Sequence, residues 1–310
     1  MEVIIRTKHI KKKFTNPVIA IGNFDGVHLG HIKVLQKVLK EARKFDGDAI
    51  ALTFNPHPIK VLKQSKSFYG ITTLEEKIIE ISKTGLDYLL IFTFSKEFAS
   101  FSAEVFAEKI LKGELNVRKV IIGYNFTFGH KGEGDGEKLK LLGNKFGFEV
   151  EIFPSQKMNG EEISSSAIRT LILSGNIKKA SLFLGKNYSI KGKVIKGAGI
   201  GKKLGFPTAN LLPEKNLLPP YGVYATITKI NGISYKSVTS LGTRPTFKGE
   251  IFCFETFIFD FNKKIYGERI DVEFVDKIRD EIVFSSKKEL ISQIESDIIE
   301  AKKVLRETYG

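Results

Sequence analysis

Apolar residues in the first part of the chain form two kinds of pattern. Continuous apolar runs, such as Val18–Ile21 and residues 49–54, predict buried strands, whereas apolar residues recurring every three or four positions over residues 32–42 predict an amphipathic helix. Further strands are predicted at residues 88–92, 117–123 and 148–153, with helical patterns between them. This alternation predicts an α/β domain over residues 1–185, built on a doubly wound parallel sheet.

The pattern changes beyond residue 186. Short segments of alternating polarity, separated by glycine and proline, predict antiparallel strands at residues 188–194, 221–230, 235–241, 254–259 and 270–275. A last helical pattern follows Ser286, which forms a predicted capping box with Glu289. We therefore predict a second domain over residues 186–310, an antiparallel β-barrel with a terminal helix.

The composition agrees with two globular domains. The chain has 310 residues, of which 42% are hydrophobic and 27% charged, as in soluble proteins. The one cysteine, Cys253, excludes an internal disulfide. The sequence shows no secretory signal and no apolar run near the roughly 20 residues of a membrane span. These features predict a cytoplasmic protein that is neither exported nor embedded in a membrane.

The net charge of +14 raises nucleic-acid binding as a possible function. The excess is +8 in residues 1–185 and +6 in residues 186–310, so it is spread along the chain. The longest basic run, residues 11–13, has no interleaved aromatic residue and is most simply a solvated face. We therefore predict no nucleic-acid partner, and small anionic ligands fit the charge equally well.

A glycine-rich turn joins the strand at residues 18–21 to the first helix. Glycines let a ligand approach the backbone closely, and a helix N-terminus offers free N–H groups to an anion. Two histidines in this turn can donate hydrogen bonds to one polyphosphate, although glycine turns with structural histidines are also common. We predict that these residues bind phosphate or act on it: Gly22, Asn23, Phe24, Asp25, Gly30, His28 and His31.

The spacing His28-x-Gly30-His31 resembles the His-x-Gly-His signature of the nucleotidyltransferase superfamily, whose members adenylylate substrates with ATP. The segment Ser164, Ser165, Ser166 and Arg169 resembles the serine-rich motif that accompanies this signature and closes on the ATP phosphates. On the residues alone, the serines could equally be ordinary helix caps.

Two further segments of the first half are candidate ligand sites. His57 lies between two prolines at the end of a predicted strand, where α/β sheets bind ligands, although a rigid turn with an incidental histidine is the alternative. Residues 123–136 form a glycine-rich loop containing Asn125 and three aromatic residues that could flank a planar ring. A plain linker would be the alternative. We predict that His57 and Asn125 contribute to nucleotide binding.

The second half contains another glycine-rich segment, residues 197–205, followed by Pro207-Thr208-Ala209-Asn210. The glycines could approach phosphates, and the oxygens of Thr208 and Asn210 could face one hydrated Mg²⁺. This segment resembles the Pro-Thr-Ala-Asn motif of riboflavin kinases. Residues 222–224, 242–247, 254–256 and 266–267 match the rest of that family's pattern in order.

Together the two halves resemble the bacterial bifunctional riboflavin kinase/FAD synthetase family over nearly the whole chain. The resemblance implies two Mg-ATP-dependent steps, riboflavin to FMN in the barrel and FMN to FAD in the α/β domain. It implies Glu255 as the kinase base, with Glu268 as a rival, and His28 and His31 as stabilisers of adenylyl transfer. It also implies that Thr208 and Asn210 hold Mg²⁺, and that ATP or flavin contacts Gly197, Gly199, Gly205, Pro207 and Arg244.

Some positions depart from the common family pattern. Asn125 and Thr127 stand where aspartate and arginine are frequent, and Ser240 stands where asparagine is usual. Two other functions stay open at this point: a riboflavin kinase with an inactive adenylyltransferase domain, and a flavin-responsive regulatory or RNA-binding protein. The oligomeric state is left open.

Overall fold

The computed structural model describes residues 1–7, 9–62, 68–246 and 249–309. It divides the chain into two compact units, Met1–Ser165 and Ser166–Gly310. The domain boundary predicted at residues 185–186 stays a prediction. The contacts divide the two units after Ser165 instead, so that the helices at residues 165–173 and 177–184 are grouped with the second unit.

The first unit is built on a sheet of six parallel strands. They are β1 (Glu2–Arg6), β2 (Val18–Ile21), β3 (Ala49–Asn55), β4 (Tyr88–Thr93), β5 (Lys119–Gly123) and β6 (Glu149–Phe153). Their order is β1-β4-β3-β2-β5-β6, and every neighbouring pair is parallel, which confirms the predicted doubly wound sheet. The apolar pattern did not predict β1, because five residues acquire strand structure here only through pairing with β4.

Helices cover both faces of this sheet. They are α1 (Leu29–Lys44), α2 (Pro58–Leu62), α3 (Leu74–Ser82), α4 (Lys96–Ala99), α5 (Ala103–Val105), which continues as a π-helix (Phe106–Glu114), and α6 (Gly136–Phe146). A short hairpin of β7 (Lys157–Met158) and β8 (Glu161–Glu162) follows β6. The hydroxyl of Thr73 and the carboxylate of Glu76 form a capping box at the start of α3.

Each face of the sheet buries its own apolar layer. Ile19 and Ile50 pack with Ile110 of the π-helix on one face. Ala20 and Ala51 pack with Leu35 of α1 on the other face, as expected when successive strand residues point in opposite directions. Because both faces are covered, ligands can reach the sheet only at its ends, where the glycine turn follows β2.

A charged cluster joins α1 to strands β5 and β6 on the face of the sheet that α1 covers. Glu41, of which 4% is exposed, accepts hydrogen bonds from Lys44 at 2.7 Å and from Lys119 at 3.0 Å. Lys119 also pairs with Glu151 at 2.7 Å. The hydrogen bonds from Lys44 and Lys119 lower the pKa of Glu41 to about 2.

The second unit begins with α7 (Ser165–Leu173), which starts at the last residue of the first unit, and α8 (Ile177–Leu184). A closed barrel follows, made of β9 (Tyr188–Ile195), β10 (Ala209–Pro213), β11 (Gly222–Ile230), β12 (Ile233–Thr246), β13 (Gly249–Ile258) and β14 (Arg269–Asp280). Its strand pairs are antiparallel, which confirms the predicted barrel. A short α9 (Ile200–Lys203) lies between β9 and β10, and α10 (Lys287–Tyr309) ends the chain.

The terminal helix packs on the outside of the barrel. Ala301 and Leu305 of α10 are fully buried against Val223 and Ala225 of β11. Only half of its predicted capping box forms: the N–H of Glu289 donates to Ser286, whereas the Glu289 carboxylate accepts from the backbone of Ser285. In the parts of the chain that the structure describes, no helix is long and apolar enough to cross a membrane.

A row of buried hydroxyl groups crosses three barrel strands. Thr226 lies 2.8 Å from both Ser237 and Thr239, and Thr239 lies 2.9 Å from Thr256. All of these side chains are fully buried. Each hydroxyl group therefore has a hydrogen-bond partner in the neighbouring hydroxyl, at a place that water does not reach.

We expect the Glu41→Gln substitution to lower the free energy of unfolding of the first unit by about 1–3 kcal/mol, because Lys119 would lose one of two anionic partners while remaining buried. Urea denaturation measures this change. Glu137→Gln is the matched control, since Glu137 pairs with Lys140 on the surface. The control should change stability by no more than about 0.5 kcal/mol. Equal effects of the two substitutions would contradict the expectation.

Candidate active sites

The turn between β2 and α1 has an unusual backbone. Phe24 has a φ of +46° and Val27 a φ of +44°, a left-handed region that costs non-glycine residues about 1–3 kcal/mol. Val27 is also β-branched, which makes this conformation still less favourable. Both side chains are only 2% exposed and pack into the core, which holds them in place. Strain of this kind concentrates at ligand sites.

Asp25 anchors this turn to the segment that precedes α3. Its Oδ1 accepts hydrogen bonds from the backbone N–H groups of Ile71 at 2.9 Å and Thr72 at 3.2 Å. The N–H of Gly26 donates to the Thr72 hydroxyl at 3.1 Å. Asp25 is 4% exposed, so this carboxylate shapes the turn. Its predicted contact with phosphate remains a prediction.

The two histidines of the turn lie side by side. The Nδ1 of His28 accepts a hydrogen bond from the N–H of His31 at 3.3 Å and thereby caps α1. Their rings are stacked with centroids 3.6 Å apart. Because Nδ1 of His28 is an acceptor, its proton lies on Nε2, which can donate to a ligand. A Cβ at Gly30 would lie 3.1 Å from the His28 ring, so a larger residue here would press on that ring.

Both histidines are neutral at physiological pH. Burial lowers the pKa of His28 to about 4, although the charge of Asp25 opposes this effect. Burial, together with His28 and Lys77, lowers the pKa of His31 well below its usual value. The Nδ1 of His31 is buried and has no hydrogen-bond partner among the described residues. A pair of neutral imidazoles held at a helix N-terminus can donate hydrogen bonds to an anion.

Sequence reasoning missed Lys77, a buried cation behind the turn. Its Nζ donates to the backbone carbonyl of Asn23 at 2.6 Å and to the hydroxyl of Thr53 at 3.4 Å. Thr53 also donates to the same carbonyl at 3.2 Å. Burial lowers the pKa of Lys77 to about 8. In the sequence Lys77 looked like one polar position of an amphipathic helix, and no local pattern indicated that it faces the turn.

The serine segment reaches the same turn. The hydroxyl of Ser165 donates to the backbone carbonyl of Asp25 at 2.8 Å. Ser164 precedes it and is partly buried, and Ser166 follows it and is exposed. Arg169 lies one turn further along α7, on the same helix face as Ser165, and belongs to the second unit.

Other predicted residues lie at the carboxyl ends of the strands. His57 follows β3, accepts a hydrogen bond from the N–H of Ile59 at 3.3 Å and stacks on Phe68 with ring centroids 4.2 Å apart. Asn125 follows β5 and is exposed. Gln156, which sequence reasoning missed, accepts a hydrogen bond from Lys33 of α1 at 2.9 Å.

The three aromatic residues of the loop at residues 123–136 differ in burial and in contacts. Phe128 is 9% exposed and packs on Phe106 in the core, so it is not free to flank a ligand ring. Phe126 stacks on Phe128 with centroids 5.5 Å apart. Tyr124 is exposed and donates to Glu162. The prediction that all three aromatics flank a planar ring is therefore wrong for Phe128, which the core requires.

In the barrel, the predicted kinase residues lie on neighbouring strands. Asn210 of β10 is paired directly with Glu255 of β13, which is in turn paired with Ser240 of β12. Directly paired residues have Cβ atoms about 4.5–5.5 Å apart and point to the same face. Thr208 lies two residues before Asn210 and is partly buried, as Asn210 and Glu255 are. The structure thus brings these polar groups together on one face of the barrel.

The glycine-rich segment packs directly on these side chains. A Cβ at Gly197 would lie 2.4 Å from the amide of Asn210, and a Cβ at Gly201 would lie 3.2 Å from the Thr208 hydroxyl. Gly199 and Gly205 have φ values of +68° and +95°, which favour glycine. The segment therefore keeps its backbone close to the two side chains.

Three more predicted kinase residues have different surroundings. Pro207 is exposed at the start of the motif. Glu268, the rival base, accepts a hydrogen bond from Asn231 at 3.2 Å, at the tip of the β11–β12 hairpin. Arg244 lies in β12, and its side chain lies outside the described part of the structure. The pairing with Asn210 favours Glu255 over Glu268 as the base.

The depressed pKa of His28 makes stability depend on pH. The unfolded chain binds a proton at this residue below about pH 6.5, whereas the folded chain does so only near pH 4, so stability falls as pH drops through this interval. We expect His28→Asn, which retains a helix-capping side chain, to reduce that fall. Urea denaturation at about pH 7.5 and about pH 5 tests this. An unchanged pH dependence in the variant would refute it.

Two family models match the chain: FAD synthetase over residues 10–167 and riboflavin kinase over residues 184–305. A solved structure described as a macrolide-efflux protein from Streptococcus pneumoniae covers 97% of this chain and 99% of its own, with 33% identity and a TM-score of 0.88. It shares the fold, and its described activity is a statement about that protein alone.

Curated relatives share the length of the chain as well as its sequence. A bifunctional riboflavin kinase/FMN adenylyltransferase from Buchnera aphidicola subsp. Acyrthosiphon pisum is 39% identical, with 98% of both chains covered. The proteins of the same name from Bacillus subtilis and Haemophilus influenzae are 38% and 35% identical, with 94% and 97% of this chain and 93% and 98% of their own covered. This chain belongs to the bifunctional riboflavin kinase/FMN adenylyltransferase family.

Proposed function

We propose that this protein converts riboflavin to FMN in its barrel domain and FMN to FAD in its α/β domain, using ATP in both steps. Two observations support the proposal: the paired histidines lie at the start of α1 in the first unit, and Asn210 is paired with Glu255 in the barrel of the second unit. We assign residues 1–185 to the adenylyl transfer and residues 186–310 to the kinase reaction.

In adenylyl transfer, a phosphate oxygen of FMN attacks the α-phosphorus of ATP, and the bond to the leaving pyrophosphate breaks. Negative charge grows on the phosphate oxygens in the transition state, where fixed hydrogen-bond donors are most effective. The Nε2–H of His28, the adjacent His31 and the N-terminus of α1 supply such donors. Ser165, which already contacts the turn, and Arg169 on the same helix would hold the phosphates.

In the kinase step, the 5′-hydroxyl of riboflavin attacks the γ-phosphorus of ATP, and ADP leaves. Glu255 would accept the hydroxyl proton, because its partner Asn210 places it beside the proposed phosphate site. The backbone of the glycine-rich segment, held close to Thr208 and Asn210, would contact the phosphates.

The oxygens near the glycine-rich segment fit a hard divalent cation. Thr208 offers a hydroxyl and Asn210 an amide oxygen, the kind of ligand that Mg²⁺ prefers beside nucleotide phosphates. Gly197 lies against the Asn210 amide, where a side chain would displace that amide, so the backbone of the glycine-rich segment and the amide oxygen could face one cation. We propose Mg²⁺ as this ion; when bound with ATP it neutralises charge on the transferred phosphoryl group.

The two activities can be separated in one experiment. Purified protein incubated with riboflavin, ATP and Mg²⁺ should form FMN first and then FAD, as resolved by chromatography over time. FMN as the sole product would favour a kinase with an inactive adenylyltransferase domain. Flavin binding without either product would favour a regulatory protein instead.

Substitutions in the two candidate sites should stop the two-step conversion of riboflavin at different products. We expect His28→Ala to reduce FAD formation at least about 10²-fold while FMN still forms, because a transition-state donor is lost. Glu255→Gln should reduce FMN formation at least about 10²-fold but leave FAD formation from added FMN intact. Each variant is thus the control for the other. Loss of both activities in either variant would contradict the assignment.

Lys77 provides a separate test of the α/β site. Its pKa of about 8 predicts that FAD formation from FMN declines above this pH as the buried cation is lost. We expect Lys77→Met to lower this rate about tenfold or more, by releasing the Asn23 carbonyl, and to abolish the alkaline decline. Lys83→Met, at the exposed end of α3, is the matched control. An alkaline decline that survives in Lys77→Met would refute this role.

The lone Cys253 and the dependence on ATP support a cytoplasmic location. The proposed ligands are riboflavin, FMN, FAD and ATP, and no step requires a nucleic acid or a membrane.

A further inference from the structure

A cavity of about 690 Å³ lies in the first unit, apart from the glycine turn. It is lined by the end of β1, residues 9–14, Phe101 and the last turns of the π-helix. Its lining includes none of the residues of the turn at 22–31 or of the strand ends beside it. The size is within the range of about 300–1,000 Å³ that is typical of small-molecule sites.

A buried ion pair between Arg6 and Glu114 forms what we call the floor of this cavity. Arg6 and Glu114 form a two-pronged ion pair with both contacts at 2.7 Å, and each side chain is less than 10% exposed. Glu114 also accepts a hydrogen bond from the N–H of Ile10 at 2.6 Å, which fixes the following segment above the floor. Glu114 is the only acidic residue among the described residues that line the cavity, and Arg6 neutralises it.

The walls combine free cations with apolar surface. Lys11, Lys13 and Lys109 line the cavity, are exposed, and form no ion pair with any residue that the structure describes. Lys12, between the first two, is instead held by Glu2 and lies over the ring of Tyr88. The run at residues 11–13 is therefore not a uniform solvated face, because two of its lysines share one cavity with Lys109.

Aromatic side chains complete the lining. Phe14 and Phe101 both border the cavity and are partly buried, together with the apolar residues Ile10 and Leu115. Aromatic and aliphatic groups favour a planar ring, whereas three unpaired ammonium groups favour phosphate.

We propose that this cavity binds a small ligand that carries both a planar ring and phosphate groups, as nucleotides do. Lys11, Lys13 and Lys109 contact the phosphates, and Phe14 and Phe101 contact the ring. The site goes beyond the two proposed reactions, because it shares no residue with either candidate active site. A long nucleic acid fits less well, since it needs an extended basic track rather than a single cavity.

Lysine footprinting tests the proposal on the full-length protein. An amine-reactive reagent labels exposed lysines, and mass spectrometry measures the labelling rate at each one, with and without ADP at up to about 1 mM. ADP should slow labelling of Lys11, Lys13 and Lys109 severalfold and leave Lys40, exposed on α1, unchanged. Pyrophosphate, which lacks a ring, should protect at least about tenfold less well at equal concentration.

A charge-reversed variant, Lys11→Glu/Lys13→Glu/Lys109→Glu, provides the second arm. All three residues are exposed, so the variant should fold normally, and the kinase and adenylyltransferase activities at saturating substrate should be unchanged. ADP protection of residues 9–14, followed by amide hydrogen exchange, should weaken at least about tenfold in the variant. Because both readouts are local to the cavity, they do not depend on turnover at the active sites.

Three results would overturn the proposal. One is the absence of ADP protection at the three lysines. Another is equal protection by pyrophosphate and ADP, which would show a simple anion site without ring recognition. The third is protection by a single-stranded oligonucleotide at lower concentration than by ADP, which would assign the surface to nucleic acid.

Discussion

The hydrogen bonds accepted by Asp25 are the constraint on which the α/β site depends. This buried carboxylate joins the turn after β2 to the segment that precedes α3, while its own backbone carbonyl receives the hydroxyl of Ser165. The turn contains two non-glycine residues with positive φ, which would be unfavourable in a free loop. The strained backbone persists because packing and these hydrogen bonds make every other conformation of the turn higher in free energy. This conformation holds His28 and His31 at the start of α1.

The electrostatics of this site follow from the same burial. His28 and His31 are neutral because charging them would require desolvation in the core beside Lys77. Lys77 remains close to its carbonyl acceptor and contributes a positive charge behind the turn. In the proposed reaction the histidines would therefore serve as fixed hydrogen-bond donors, and the helix N-terminus and Lys77 would attract the polyphosphate.

In the barrel, strand pairing positions the candidate kinase residues. A closed antiparallel barrel fixes which residues of β10, β12 and β13 stand opposite each other, and this register brings Asn210 beside Glu255 although they are far apart in sequence. The glycine-rich segment can then approach the same face, because Gly197 leaves room for the Asn210 amide. Loop and strand together form the polar face, whereas the barrel interior is held by apolar side chains and the buried hydroxyl row.

Much of this protein was determined by sequence alone. The alternation of strand and helix patterns predicted the parallel sheet, and the change of pattern predicted the barrel. Glycine spacing with paired histidines predicted the turn at the carboxyl end of β2, where the candidate site lies. These features are local, since periodicity, helix caps and turn residues act within a few positions of the chain. The family motifs are also short segments, and they occur along this chain in the same order as in the family.

Other features were decided only by tertiary structure. The strands β1 and β10 each pair with a strand distant in sequence, β4 and β13, and no short-range pattern reports such pairing. Lys77 faces the turn and Phe128 enters the core because the packing of whole elements determines which side of a segment is buried. The cavity beside Arg6 arises in the same way, since its cations come from β1, the segment after it and a helix about a hundred residues further along the chain. Contacts of this kind depend on three-dimensional packing, which local propensities do not encode.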